Sequence, residues 1–98
     1  MKKIILFADD FGFSEGMNLG VIKACRKGVI TDINLIVNMM TSKEAVYLHN
    51  QYCPEIPMSA HINFVQGKPI SNPEEIPSLV DKNGYFYRSY LWKSDDLE

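Results

Sequence analysis

Short apolar stretches alternate with amphipathic helical stretches along the first two-thirds of the chain, and this alternation constrains the fold more than any other feature. Residues 3–8, 32–38 and 58–64 predict strands, and residues 15–27 and 42–52 predict the helices between them. Short strands separated by helices are typical of a parallel sheet with right-handed crossovers. The first strand is a continuous apolar run, as in strands buried on both faces. The sequence therefore predicts an α/β protein.

The first predicted helix has recognisable ends. Ser14 is placed to cap its N terminus, and Gly28 suits its C-terminal stop. Leu19, Ile22 and Cys25 are expected to face the core.

The regular alternation ends after residue 65. Glycine, proline and asparagine recur over residues 66–84 and predict a long irregular loop, which an aromatic tract follows at 85–92. These aromatic side chains suit either stacking on sugar rings or packing against the sheet. We expect residues 1–98 to form a single domain, with βαβαβ over 1–65 and the loop and aromatic segment over 66–98. Three parallel strands leave two open edges, so we expect an N-terminal fragment of a longer domain that self-associates when isolated.

The charge of the chain and its hydropathy exclude some classes of partner. The formal net charge is −2 and the basic residues are not clustered, which argues against nucleic acid or an anionic membrane as partner. No apolar run approaches the roughly 18 residues of a membrane span. Cys25 and Cys53 lack the spacing of a zinc ribbon, so a cytoplasmic protein with reduced thiols is expected.

Two adjacent carboxylates, Asp9 and Asp10, follow the first predicted strand directly. In parallel α/β folds ligands bind at the carboxyl ends of strands. A bound cation relieves the repulsion between neighbouring carboxylates. The alternative is that one aspartate caps the next turn and the other is solvated.

His61 lies near the end of the third predicted strand and can therefore share a rim of the sheet with Asp10. Asp and His together are an ordinary ligand combination for zinc or a similar divalent ion. The alternative is a core histidine bonded to the backbone. Asn63, two residues further on, and Asn38, at the end of the second strand, are candidates for substrate binding, and equally for strand-end or turn positions.

Several short strings, in the same order, resemble the YdjC/ChbG-like deacetylase family over nearly the whole chain. These strings are Ala8-Asp9-Asp10-Phe11-Gly12-Phe13-Ser14, Gly16-Met17-Asn18-Leu19-Gly20, Gly28-Val29-Ile30-Thr31, Asn38-Met39-Met40, His61-Ile62-Asn63-Phe64, Gly67-Lys68-Pro69-Ile70-Ser71, Ser78-Leu79-Val80 and Gly84-Tyr85-Phe86. The resemblance implies a (β/α)-barrel-like fold and hydrolysis of N-acetyl groups on sugars, typically chitin-derived oligosaccharides. It further implies that Asp10 and His61 are ligands of a divalent ion, zinc or magnesium, and that Asp9 is the general base. The family places another ligand histidine downstream of the present sequence.

Two other functions remain open. A receiver-like signalling domain also binds magnesium beside acidic residues after its first strand, but it needs an aspartate where this chain has His61. A non-catalytic module that self-associates through its open sheet is the other alternative.

Overall fold

The computed structural model describes residues 1–88 and shows parallel strands alternating with helices, which confirms the predicted α/β class. The elements are β1 (Phe7–Phe11), α1 (Glu15–Lys27), β2 (Asp32–Ile36), α2 (Ser42–Tyr52) and β3 (Met58–His61). A short 3-10 helix follows at Pro73–Glu75. None of the helices in residues 1–88 combines the length and the apolar character that crossing a membrane requires.

The sheet has the strand order β1-β2-β3, and both neighbouring pairs are parallel. Its core lies on one face, where alternate strand residues meet side chains from both helices; the buried apolar members are Ala8, Phe11, Val21, Ile22, Ile33, Leu35, Ala45 and Cys53. Each crossover adds the next strand in the same direction and places its helix on the same face. This leaves the opposite face of the sheet free of α1 and α2.

The predicted position of the first strand, residues 3–8, is wrong. It begins at Phe7, and Ile4 and Ile5 lie outside it with exposed fractions of 76% and 64%. Its extent follows from pairing with β2, where Phe7 lies opposite Asp32 at the beginning of that strand. Helices α1 and α2 cover one face, and Phe7 itself is 52% exposed, so the expectation of burial on both faces does not hold within the described residues.

Helix α1 begins where the sequence predicted. The Ser14 hydroxyl oxygen accepts a hydrogen bond from the Met17 N–H at 3.1 Å. Leu19, however, is 53% exposed, because the buried positions are Asn18, Val21 and Ile22. These positions are spaced three and four residues apart, which is the spacing of one helix face, and Leu19 falls beside that face.

The chain divides into two compact units, Met1–Ile62 and Asn63–Glu98. In the second, the rings of Phe64 and Phe86 meet edge to face with centroids 6.2 Å apart. Phe86 is buried, whereas Tyr85 is 44% exposed and carries the Lys68 ammonium 4.8 Å above its ring. Residues 89–92 of the predicted aromatic tract lie outside the described residues, and the single-domain organisation stays a prediction.

Candidate metal centre

The two adjacent aspartates lie within β1, near its carboxyl end, and not after the strand as the sequence predicted. Ala8 pairs with Ile33 and Phe11 pairs with Leu35, so Asp9 and Asp10 together oppose the single residue Asn34. An extra residue of this kind is a β-bulge. The backbone of Asp10 is left-handed, with φ of 62°. Aspartate accepts this conformation more readily than most residues do.

The bulge matters because consecutive residues of a regular strand point to opposite faces of the sheet. Asp9 contacts Asn34, and Asp10 contacts His61. Asn34 pairs with Ser59, two residues before His61, so both contacted residues belong to the same face of the sheet. The two neighbouring carboxylates therefore reach the same face, opposite the helices.

Asp10 and His61 come together at the carboxyl ends of the strands, as their positions in the sequence suggested. The Asp10 Oδ1 atom lies 3.6 Å from His61 Nδ1. The Asp10 backbone N–H also donates to His61 Nδ1, at 3.4 Å between nitrogen atoms. The side chains are 51% exposed for Asp10 and 33% exposed for His61, so a small ligand can reach both.

This pair fits the requirements of a divalent cation. Ligand atoms about 2.0–2.1 Å from one ion lie roughly 3.4 Å apart in a tetrahedral zinc site and roughly 2.9 Å apart at neighbouring positions of an octahedral magnesium site. The observed 3.6 Å is closer to the zinc value. His61 Nδ1 accepts the Asp10 N–H, so this nitrogen is unprotonated, as a metal ligand must be, and an ion would take the place of that 3.4 Å contact. Within residues 1–88, the His, Cys, Asp and Glu side chains form no group of three that could hold an ion. The described residues thus offer two candidate ligands, Asp10 and His61.

Asp9, the neighbour of Asp10 in the sequence, has a separate hydrogen-bond partner. Its Oδ1 atom accepts a hydrogen bond from Asn34 Nδ2 at 2.7 Å, and the contact is exposed. The sequence did not single out Asn34. The register of β1 against β2 identifies it, because that register places Asn34 opposite the aspartates.

A second residue that the sequence analysis missed is Asn18, whose side chain is completely buried. Its Oδ1 accepts from the Gly12 N–H at 2.7 Å, and its Nδ2 donates to the Thr41 carbonyl at 3.1 Å. The Thr41 hydroxyl donates back to the Gly12 carbonyl at 2.7 Å. Asn18 thereby ties the loop after β1 to the loop after β2. A polar residue on the buried face of α1 was the signal that could have found it.

Close approach of these loops requires glycine at position 12. Its φ is 95°, and a Cβ there would lie 2.6 Å from the Ile36 carbonyl oxygen. The same carbonyl accepts the Ser42 hydroxyl at 2.6 Å. These contacts fix the backbone immediately after Asp10.

The two asparagines proposed for substrate binding occupy different settings. Asn38 lies in the β2–α2 loop, two residues after β2, and is half-buried. Asn63 begins the second unit, where its Oδ1 accepts from the N–H groups of Val65 and Gln66, both at 3.1 Å. This geometry is that of a turn residue. Substrate binding by either residue stays a prediction.

The two cysteines lie at the C-terminal ends of α1 and α2, toward the end of the sheet opposite the candidate site. Burial, followed by the Cys53 thiol, raises the pKa of Cys25 to about 11. Burial also raises the pKa of Cys53. Protonated thiols are poor metal ligands and poor nucleophiles, so neither cysteine is a candidate for the site.

The comparisons with known proteins identify the family of this chain. The sequence profile of the family described as YdjC-like protein matches residues 3–98. The chain belongs to the YdjC-like family. A carbohydrate deacetylase from Thermoanaerobacter pseudethanolicus is 37% identical over 98 residues, which are 100% of this chain and 39% of that relative. A carbohydrate deacetylase from Brevibacillus brevis is 42% identical over 88% of this chain and 34% of its own length.

A solved structure shows the same fold. It is a crystal structure of an Enterococcus faecalis V583 protein named for cellobiose-phosphate cleavage, and it superposes with a TM-score of 0.84 at 31% sequence identity. The match covers 89% of this chain and 34% of that protein. The present chain thus spans little more than a third of the length of these relatives.

Proposed function

We propose that the protein containing this chain is a metal-dependent carbohydrate deacetylase that removes N-acetyl groups from chito-oligosaccharides. Membership of a family that includes carbohydrate deacetylases supports the reaction. The observation that carries the metal dependence is the approach of Asp10 Oδ1 to His61 Nδ1 at 3.6 Å, beside the second carboxylate of Asp9.

Each residue has a distinct role in this proposal. Asp10 Oδ1 and His61 Nδ1 would hold the ion, zinc or magnesium, which would supply polarisation of the acetyl carbonyl and a lowered pKa for water. Asp9 would accept a proton from the attacking water at Oδ2, since its Oδ1 already accepts the hydrogen bond from Asn34. We assign the remaining metal ligand and the proton donor for the leaving amine to later segments of a longer domain.

The strand order supports completion of the sheet as a (β/α)-barrel-like fold. Strands are added in one direction, and both helices lie on the same face. In barrels of this kind the catalytic residues lie at the carboxyl ends of the strands, where Asp10 and His61 are found. We place the protein in the cytoplasm, and we propose that the 98-residue chain alone is inactive.

The test compares the 98-residue chain with the longer protein, each with added zinc or magnesium, on N-acetylated chito-oligosaccharides. In the longer protein, Asp10→Asn and His61→Gln are expected to weaken metal binding in calorimetric titration. Asp9→Asn is expected to keep metal binding and to lower kcat by about 10²–10⁴-fold, the usual contribution of a general base. Asp32→Asn is the control, because this carboxylate begins β2 at the other end of the sheet and bonds Thr31.

Three results would contradict the proposal. A metal affinity in the Asp10 and His61 variants equal to that of the wild-type protein would refute the proposed metal centre. Full activity of Asp9→Asn would refute the role of Asp9 as general base. Robust turnover by the 98-residue chain would show that its site is complete.

A self-associating module is the second candidate. It is favoured by the exposed apolar residues Ile4 and Ile5 beside β1, which is an edge strand among the described strands. We propose that the isolated chain forms homo-oligomers through this edge. Light scattering that shows a stable monomer at high concentration would contradict this proposal.

A further inference from the structure

We propose that Asn34 is a positioning residue that holds the Asp9 carboxylate in the orientation needed to accept a proton; this inference rests on the proposed role of Asp9 as general base. The observation is the 2.7 Å hydrogen bond from Asn34 Nδ2 to Asp9 Oδ1. A bond to an ionised acceptor is shorter and stronger than one between neutral groups.

The setting of Asp9 explains why it needs such a partner. Asp9 belongs to the bulged part of β1, where two residues oppose one residue of β2 and the regular ladder is interrupted. The side chain is exposed, so packing restricts its rotation less than it would at a buried position. The backbone of β1 alone therefore does not fix the direction of the carboxylate.

The backbone of Asn34 is held more firmly than that of Asp9. It lies in β2, the central strand, which pairs with β1 on one side and with β3 on the other, where Asn34 lies opposite Ser59. A functional group built on a paired strand is held more accurately than one on a loop. The bond occupies Oδ1 and leaves Oδ2 as the proton acceptor, so Asn34 selects which oxygen reacts.

Asparagine is suited to this task by its chemistry. Its amide donates a hydrogen bond without adding charge, whereas aspartate at the same position would offer only acceptors and a repelling charge. Leucine has nearly the same shape but no donor. The contact is exposed, and exposed polar contacts contribute little to folding stability, so removal of the amide should affect function more than stability.

The experiment uses the longer protein and four variants: Asn34→Leu, Asn34→Gln, Asp9→Asn and the double variant. Asn34→Leu is expected to lower kcat about 10-fold with little change in KM or in zinc affinity, within the 10–100-fold range seen when outer partners of a site are removed. Asn34→Gln keeps the donor and is expected to recover part of the loss. In the Asp9→Asn background, Asn34→Leu should have almost no further effect, because its partner is already gone. Ser59→Ala is the matched control, since Ser59 flanks Asn34 on the same sheet face.

The outcomes separate this inference from the function it rests on. If Asp9→Asn is impaired while Asn34→Leu has normal kcat, the positioning role is refuted and the base assignment stands. If Asp9→Asn is fully active, the base assignment has failed and the positioning role fails with it. Equal losses for Asn34→Leu in both backgrounds, or an equal loss for Ser59→Ala, would indicate a general disturbance of the sheet and would also refute the inference.

Discussion

Replacing Asn18 with leucine tests whether its buried amide joins the two loops that frame the candidate site. The substitution leaves the Gly12 N–H without the acceptor it has at 2.7 Å, whereas the Thr41 carbonyl loses its 3.1 Å bond from Asn18 but still accepts the Ala45 N–H at 3.0 Å. An unsatisfied buried donor costs about 1–3 kcal/mol, and the loss of one further hydrogen bond costs about 1 kcal/mol. Burial of the leucine side chain offsets roughly 2 kcal/mol of this, since the position is completely buried. The free energy of unfolding should therefore fall by about 1 kcal/mol.

Urea denaturation measures this change. With a slope of about 1–1.5 kcal/mol per molar urea for a chain of this size, the midpoint should fall by roughly 0.7–1 M. The matched control is Gln51→Leu, the replacement of an amide by leucine at an exposed position of α2, which should stay within about 0.5 kcal/mol of the wild-type chain. A midpoint for Asn18→Leu equal to that of the control would show that the amide does not join the loops.

Two further predictions concern the backbone and the thiols. Gly12→Ala should destabilise the fold by about 2–4 kcal/mol, because it adds a left-handed strain of about 1–2 kcal/mol to a 2.6 Å clash with the Ile36 carbonyl; a urea midpoint equal to that of wild type would contradict this. Alkylation of Cys25, followed by peptide mass spectrometry, should show a midpoint near pH 11 and not near 9.0, since burial raises its pKa to about 11. The folded state favours the neutral thiol, so its contribution to stability is fully present below about pH 9 and is lost as the pH rises through about 11.

The beginning of α1 was predicted correctly because its end signal is local. Ser14 caps α1 through a bond within its own first turn, and the observed bounds Glu15–Lys27 and Ser42–Tyr52 agree with the ranges that the sequence indicated. Strand ends depend instead on a partner. Residues 4–6 are all apolar, yet the strand begins at Phe7, opposite the first residue of β2.

Within the candidate site, some contacts could be predicted from the topology, whereas others depend on the details of strand pairing. That Asp10 and His61 meet at one edge of the sheet follows from the topology, since parallel strands end on the same side, and this could be predicted. The contact between Asp9 and Asn34 depends on the register of β1 against β2 and on one extra residue in β1. Neither feature can be predicted from the residue types in the sequence. The roles of these residues in metal binding and catalysis stay predictions.

The extra residue in β1 limits which amino acids position 10 can hold, independently of any catalytic requirement. Asp10 occupies a left-handed conformation that glycine, asparagine and aspartate tolerate and that β-branched residues avoid. A randomised library at position 10, sorted only for folded protein, should therefore be enriched in those three residues and depleted in valine and isoleucine. Of these three residues, only asparagine and aspartate have a side-chain oxygen that could bind an ion. Backbone geometry alone therefore restricts position 10 to a few residue types, two of which carry such an oxygen.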